Sequence, residues 1–183
     1  MKSYDYGHRK GIEEISWERF GELSRTLVVA LAEKHIDIVI GIARAGLFPA
    51  TAVACALRRE LYPVRVTRRV NDIVQHASPV WRVDVPATVA GQRVAVIDEI
   101  TDSGETLSLV AARALERDAL QVWTVSLVSH SWADPQPDVT ALTSDALVIF
   151  PWDKQVYADE GWQLHPEIES AIQAQENADK GVV

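Results

Sequence analysis

An open, mostly parallel α/β sheet of five strands, with helices on both faces and a small hood, is the fold class this sequence predicts. Three observations predict it. Short β-branched runs alternate with longer stretches of helical period, giving repeated strand–helix–strand spacing. Runs such as Ile38-Val39-Ile40 and Val94-Ala95-Val96-Ile97 are continuously apolar, as strands covered on both faces are. The turns richest in small, acidic and hydroxyl residues fall at strand carboxyl ends, where open α/β sheets bind ligands.

The elements follow in order. Residues 1–10 are polar and mixed and read as an arm. Ser16 is an N-cap for a helix over residues 17–34, whose Phe20, Leu23, Leu27 and Leu31 recur at three- and four-residue steps. A strand over 36–40 leads through Gly41 into a turn, and an apolar helix over 48–59 follows. Cys55 lies in its apolar run, which predicts a buried, inert thiol. A strand over 61–66 precedes residues 68–90, which lack a clean period and read as a long flexible loop with a β-hairpin at 80–85. A strand over 93–98, a helix over 105–117 and a strand over 122–128 come next. Pro135 and Pro137 mark a loop, residues 147–150 form the last strand, and Pro166 opens a final helix that frays after residue 174.

The bulk properties fit one domain over 1–183: 183 residues, 48% apolar and 24% charged. A formal net charge of −8 argues against a nucleic-acid binder, which carries a basic face. No long uncharged apolar span or leader is visible, so a cytoplasmic protein with no membrane partner is expected. The single cysteine cannot form an internal disulfide, and the histidines show no metal-ligand spacing.

Two turns carry chemistry. In Val94-Ala95-Val96-Ile97-Asp98-Glu99-Ile100-Thr101-Asp102-Ser103-Gly104-Glu105-Thr106 a buried strand delivers two acids, then hydroxyls and backbone N–H groups at a helix start. Asp98 and Glu99 can accept from vicinal hydroxyls, directly or through Mg²⁺ and its waters. Residues 101–106 can cradle a phosphate without a lysine. The turn Gly41-Ile42-Ala43-Arg44-Ala45-Gly46 lets N–H groups approach an anion, with Arg44 adding charge.

The first string resembles the PRPP-binding motif of the type I phosphoribosyltransferases, with Glu99 for the commoner second Asp and Ser103 for Thr. The resemblance implies that Asp98 and Glu99 hold the ribose hydroxyls and, through water, Mg²⁺. It implies that Thr101, Asp102, Ser103, Gly104, Glu105 and Thr106 bind the ribose and its 5-phosphate. Asp102 would also manage the base proton. The second turn then resembles the pyrophosphate loop, Ala43, Arg44, Ala45 and Gly46, with a cis peptide expected at Ala43-Arg44. Arg44 is expected to hold the leaving group, and Arg68 and Arg69 to add charge from the flexible loop. Val148-Ile149-Phe150-Pro151-Trp152-Asp153-Lys154 resembles the hood of xanthine-guanine phosphoribosyltransferases and their archaeal relatives, placed at about 129–165. There the Val148 backbone and Asp153 would read the purine edge.

Two positions depart from these relatives. His130 stands where 6-oxopurine members carry a lysine donating to O6, and Leu147 stands where an aromatic stacks on the base. The resemblance implies a purine-type phosphoribosyltransferase that uses PRPP, a 6-oxopurine-like base and Mg²⁺, in a homodimer or higher homo-oligomer. The departures keep two alternatives open: a transferase for a non-standard base such as a deazapurine, and a PRPP-sensing regulator without turnover.

Overall fold

The computed structural model describes residues 9, 11–67, 69–70, 73–74, 80–158 and 161–180. Arg68, expected at the pyrophosphate, lies outside the described residues, as does the side chain of Arg69. The chain divides into two compact units, one of residues 1–21 with 144–183 and one of residues 22–143.

The larger unit is built on a six-stranded sheet in the order β6-β3-β2-β7-β8-β9. These strands are β2 (Ile38–Ile42), β3 (Glu60–Thr67), β6 (Val80–Val83), β7 (Arg93–Thr101), β8 (Gln121–Ser129) and β9 (Val139–Thr143). Five run parallel, and β6 pairs antiparallel with β3 at one edge. The pairs β4 (Arg69–Val70) and β5 (Ile73–Val74) form a separate short antiparallel ladder.

Strand alternation decides where the helices go. Ile38, Ile40, Ile42, Val94 and Val96 face one side and share a core with Leu107, Val110 and Ala114 of α3 (Glu105–Glu116). The opposite side of β2 offers Gly41, and α2 (Leu47–Leu57) packs there. A Cβ on Gly41 would lie 2.8 Å from both Ala50 Cβ and Leu47 Cδ2. Opposite faces of one sheet therefore carry α2 and α3, as parallel strands require. Helix α1 (Trp17–Glu33) starts at the expected cap, where Ser16 Oγ accepts from the Arg19 N–H at 3.1 Å. No helix among the described residues is long and apolar enough to cross a membrane.

Ion pairs brace the sheet away from the ligand end. At the amino ends of β2 and β7, Arg93 grips Asp37 with Nε and Nη2, both at 2.9 Å, and holds its pKa down to about 2. Asp84, beyond β6, accepts from Arg113 at 2.7 Å and Arg117 at 2.6 Å. The Arg113 guanidinium above all, then Arg117, holds the Asp84 carboxyl far below the usual range.

Four expectations need correction. The fifth parallel strand is β9, not residues 147–150; in Val139–Thr143 only Val139 is buried, and the segment lies behind two prolines and carries only a weak apolar run. The hairpin expected at 80–85 is instead a single strand, β6, paired with β3, and the loop does not run to 90, since Val85 and Val89 are fully buried. Strand β7 runs on to Thr101, so the two acids lie inside it rather than at its tip. Cys55 is exposed. Helix α2 is apolar all round, and its sheet-facing residues are Ala50, Val53 and Ala54, which turns Cys55 outward.

The smaller unit, described by itself, pairs β1 (Ile12–Glu14) in parallel with β10 (Leu147–Ile149). It adds a hairpin of β11 (Gln155–Ala158) and β12 (Gly161–Leu164), and α4 (Pro166–Lys180). Leu147 and Ile149 pack with Ile168 and Ala171. Phe150 stacks on Trp152 at 4.8 Å, and Phe20 meets Trp152 edge-on at 5.3 Å. The expected hood, 129–165, thus crosses the boundary between the units, and the helix expected to fray after 174 keeps helical backbone to Lys180.

Candidate active site

The end of β7 carries the site. Asp98 Oδ1 accepts from the Glu99 N–H at 3.0 Å. Desolvation by the surrounding protein, then the charge and hydrogen bond of Glu99, push the Asp98 carboxyl well above its ordinary value of 3.8. The extended strand would send the two side chains to opposite faces, yet their carboxyls remain close enough to interact.

That shift sets a stability cost. A carboxyl with a raised folded pKa is most compatible with the fold below its unfolded value, and stability falls as pH rises through the folded pKa. Asp98→Asn removes the charge and is expected to raise the unfolding temperature near neutral pH. The gain should vanish near about pH 4, where the unfolded carboxyl also protonates. Thermal unfolding at both pH values checks this, and an equal gain at both would contradict it.

The turn 43–46 reaches Asp98 directly. Its Ala43–Arg44 peptide is cis, at the bond the resemblance selects. Ala43 N–H is held by Val64 O at 2.8 Å, while the Leu47 and Phe48 N–H groups bond back to Arg44 O and Ala45 O. Gly46 is buried against the acid: a Cβ there would sit 2.6 Å from Ile42 O and 2.7 Å from Asp98 Oδ1. Arg44 itself is exposed. Two turns distant in sequence are thus packed into one site.

Residues 101–106 behave unevenly. Thr101 is 4% exposed, and its Oγ1 finds no hydrogen-bond partner among the described residues. It therefore contributes backbone rather than an exposed hydroxyl. Ser103 is exposed, with Oγ 3.4 Å from the Glu105 N–H. Gly104, at φ +85°, caps α3, and a Cβ on it would meet Pro135 O at 2.5 Å. Gly104 has no side chain to cap the helix, and apart from the long bond from the Glu105 N–H to Ser103 Oγ the first N–H groups of α3 are suited to an anion.

The segment after β8 supplies what sequence reading missed. His130 is fully buried rather than presented as a base donor. Its ring stacks on Trp132 at 4.3 Å with 14° between planes, and its Nε2 lies 4.0 Å from Asp102 Oδ1. Trp132, 44% exposed, donates its Nε1–H to Asp102 Oδ1 at 3.2 Å. Gln136 Nε2 donates to the carbonyls of His130, Ser131 and Ala133 at 2.9, 3.2 and 2.9 Å, and its Oε1 accepts from Ser129 Oγ at 3.0 Å. The Asp134 N–H bonds Ser103 O at 3.2 Å and the His130 N–H bonds Thr101 O at 3.0 Å, so this segment is laced to the 101–104 turn. A tryptophan two residues beyond the aligned His130 was the available signal.

The remaining expected base residues lie in the smaller unit. Leu147 is 3% exposed and committed to that unit's own core, so it does not offer a face to a base. Val148 is 9% exposed and pairs with Glu13. Asp153 is exposed, with its N–H on Phe150 O at 3.1 Å and its carboxyl 3.8 Å from His165 Nε2.

A parallel sheet thus brings acids, a helix N-terminus and a glycine-bounded turn together at adjoining strand ends, where open α/β sheets bind ligands. The family model described as "Phosphoribosyl transferase domain" matches residues 9–159, and the chain belongs to that family. The xanthine-guanine phosphoribosyltransferase of Roseobacter denitrificans is 28% identical over 164 residues, covering 80% of this chain and 87% of the relative. That of Cereibacter sphaeroides is 29% identical over 163 residues, covering 80% and 89%. The solved purine phosphoribosyltransferase of Pyrococcus horikoshii shares the fold with a TM-score of 0.72 at 22% identity, covering 82% of this chain and 99% of that one.

Proposed function

We propose that this phosphoribosyltransferase moves the 5-phosphoribosyl group of PRPP onto a ring nitrogen of a 6-oxopurine-like base. The observation that carries the reading is the packing of Gly46 on Asp98, which joins the pyrophosphate turn to the ribose acids. The similarity to xanthine-guanine phosphoribosyltransferases supports the purine class of acceptor.

Asp98 and Glu99 accept from the ribose hydroxyls. Backbone N–H groups of Asp102, Ser103, Gly104, Glu105 and Thr106 hold the 5-phosphate at the start of α3. The Ala43, Arg44, Ala45 and Gly46 turn receives the pyrophosphate, with Arg44 supplying positive charge. The base nitrogen forms its bond to C1 of the ribose as the C1–O bond to pyrophosphate breaks, and Asp102 takes the proton released from the base. Positive charge develops on the sugar ring, so positioning and charge stabilisation supply most of the acceleration. Val148 and Asp153 are assigned to the purine edge on the sequence resemblance.

Mg²⁺ fits this donor set. Two adjacent carboxylates, one pushed up by burial and by the other's charge, favour a cation beside them. When bound, Mg²⁺ would neutralise the leaving pyrophosphate. The protein is also proposed to work as a homo-oligomer in the cytoplasm, in keeping with the family resemblance.

Calorimetric titration tests the donor half. PRPP should bind, more tightly with Mg²⁺ than with a chelator, and Asp98→Asn should weaken that binding about tenfold or more. Failure of the wild-type protein to bind PRPP with Mg²⁺ would end this reading.

A further inference from the structure

We infer that Trp132 is a positioning residue for the transfer, holding the Asp102 carboxylate through its indole N–H while standing on the buried ring of His130. The inference rests on the proposed role of Asp102 as acceptor of the base proton.

The geometry is specific to this segment. One oxygen of Asp102, Oδ1, receives the Trp132 Nε1–H at 3.2 Å and lies 4.0 Å from His130 Nε2. A hydrogen bond to a carboxylate is stronger than one between neutral groups and fixes the carboxyl rotamer. Asp102 sits in the turn between β7 and α3. The indole is held in its turn by its stack on His130, which is fully buried. Behind the stack, Gln136 gathers three carbonyls of residues 130–133, an arrangement that serves to hold a short loop in one shape. The segment spends a buried imidazole, an exposed indole and a glutamine on one carboxylate of the 101–104 turn.

Neither departing position offers its side chain to a base. His130 is not available to a base from beneath Trp132, and Leu147 is buried in the other unit's core. Any base that delivers its proton to Asp102 must come within reach of the Trp132 indole, because both bind the same small carboxyl group. Trp132 therefore contributes an aromatic surface at the reacting nitrogen as well as an N–H to the carboxylate.

Trp132→Phe keeps a ring on His130 and removes the N–H. Steady-state rates with hypoxanthine, guanine and xanthine, with PRPP and Mg²⁺, are compared for this variant, Asp102→Asn and the wild type. We expect Trp132→Phe to lower kcat about tenfold, a part of the loss in Asp102→Asn, with the PRPP KM changed less than about twofold. Circular dichroism and the retained PRPP KM report that the fold is intact. An unchanged kcat in Trp132→Phe beside a collapsed Asp102→Asn overturns the role of Trp132 and leaves that of Asp102 standing. An unchanged kcat in both removes the Asp102 assignment and with it this inference. A parallel loss of PRPP affinity and kcat in Trp132→Phe would mark a merely structural role and also overturns it.

Discussion

Asp102→Asn is expected to cut kcat about 10²–10³-fold while leaving PRPP affinity within a few-fold of wild type. Proton transfer by a placed side chain contributes about 10²–10⁴-fold, and asparagine cannot accept the proton. The substitution is nearly isosteric. Asn keeps a carbonyl oxygen for the Trp132 N–H at 3.2 Å, so the turn around it should persist. The 5-phosphate depends on backbone N–H groups at the start of α3, which the side chain does not supply. A split between kcat and PRPP affinity follows, read by steady-state kinetics beside PRPP titration. An unchanged kcat would remove Asp102 from the reaction.

Gly46→Ala is expected to damage the donor site as a whole. The added Cβ would lie 2.6 Å from Ile42 O and 2.7 Å from Asp98 Oδ1, with Asp98 Cα at 3.0 Å. Two of these atoms are backbone, and the third belongs to a carboxylate packed among protein atoms, so no flexible side chain can yield. Overpacking of this kind costs about 1–3 kcal/mol. The turn must move away from β7, separating the pyrophosphate groove from the ribose acids. We expect a lower unfolding temperature and PRPP affinity weakened about tenfold or more, by thermal unfolding and calorimetry. Wild-type PRPP affinity in this variant would show that the contact between the two turns does not shape the site.

Much of the larger unit was legible in the sequence because its strands are apolar on both faces and its turns are marked. Ile38–Ile42 and the start of Arg93–Thr101 read directly as buried strands. Ser16 announced its helix, and the turn at 43–46 was placed by the small residues flanking Arg44. The misses share a physical cause. Val139–Thr143 is a short edge strand, and at Val80–Val83 β structure was read but its pairing with β3 was not, because at a sheet edge the neighbour matters more than local pattern. Cys55 was misplaced because an apolar helix has no face that pattern can select. Leu147 and His130 aligned with base-contacting positions, but tertiary packing buries both. Alignment assigns a position, whereas burial decides what the side chain at that position can reach. Trp132 was passed over for the converse reason: a lone exposed tryptophan gains meaning only once Asp102 is seen beside it.

Transfer of the phosphoribosyl group of PRPP to a purine is the proposed reaction. It is tested most directly by pyrophosphate release from PRPP and Mg²⁺ with hypoxanthine, guanine, xanthine, adenine and a deazapurine offered singly. Release that depends on a 6-oxopurine, with the matching nucleoside monophosphate formed, is the predicted result. Bound PRPP with no release for any of these bases would contradict it.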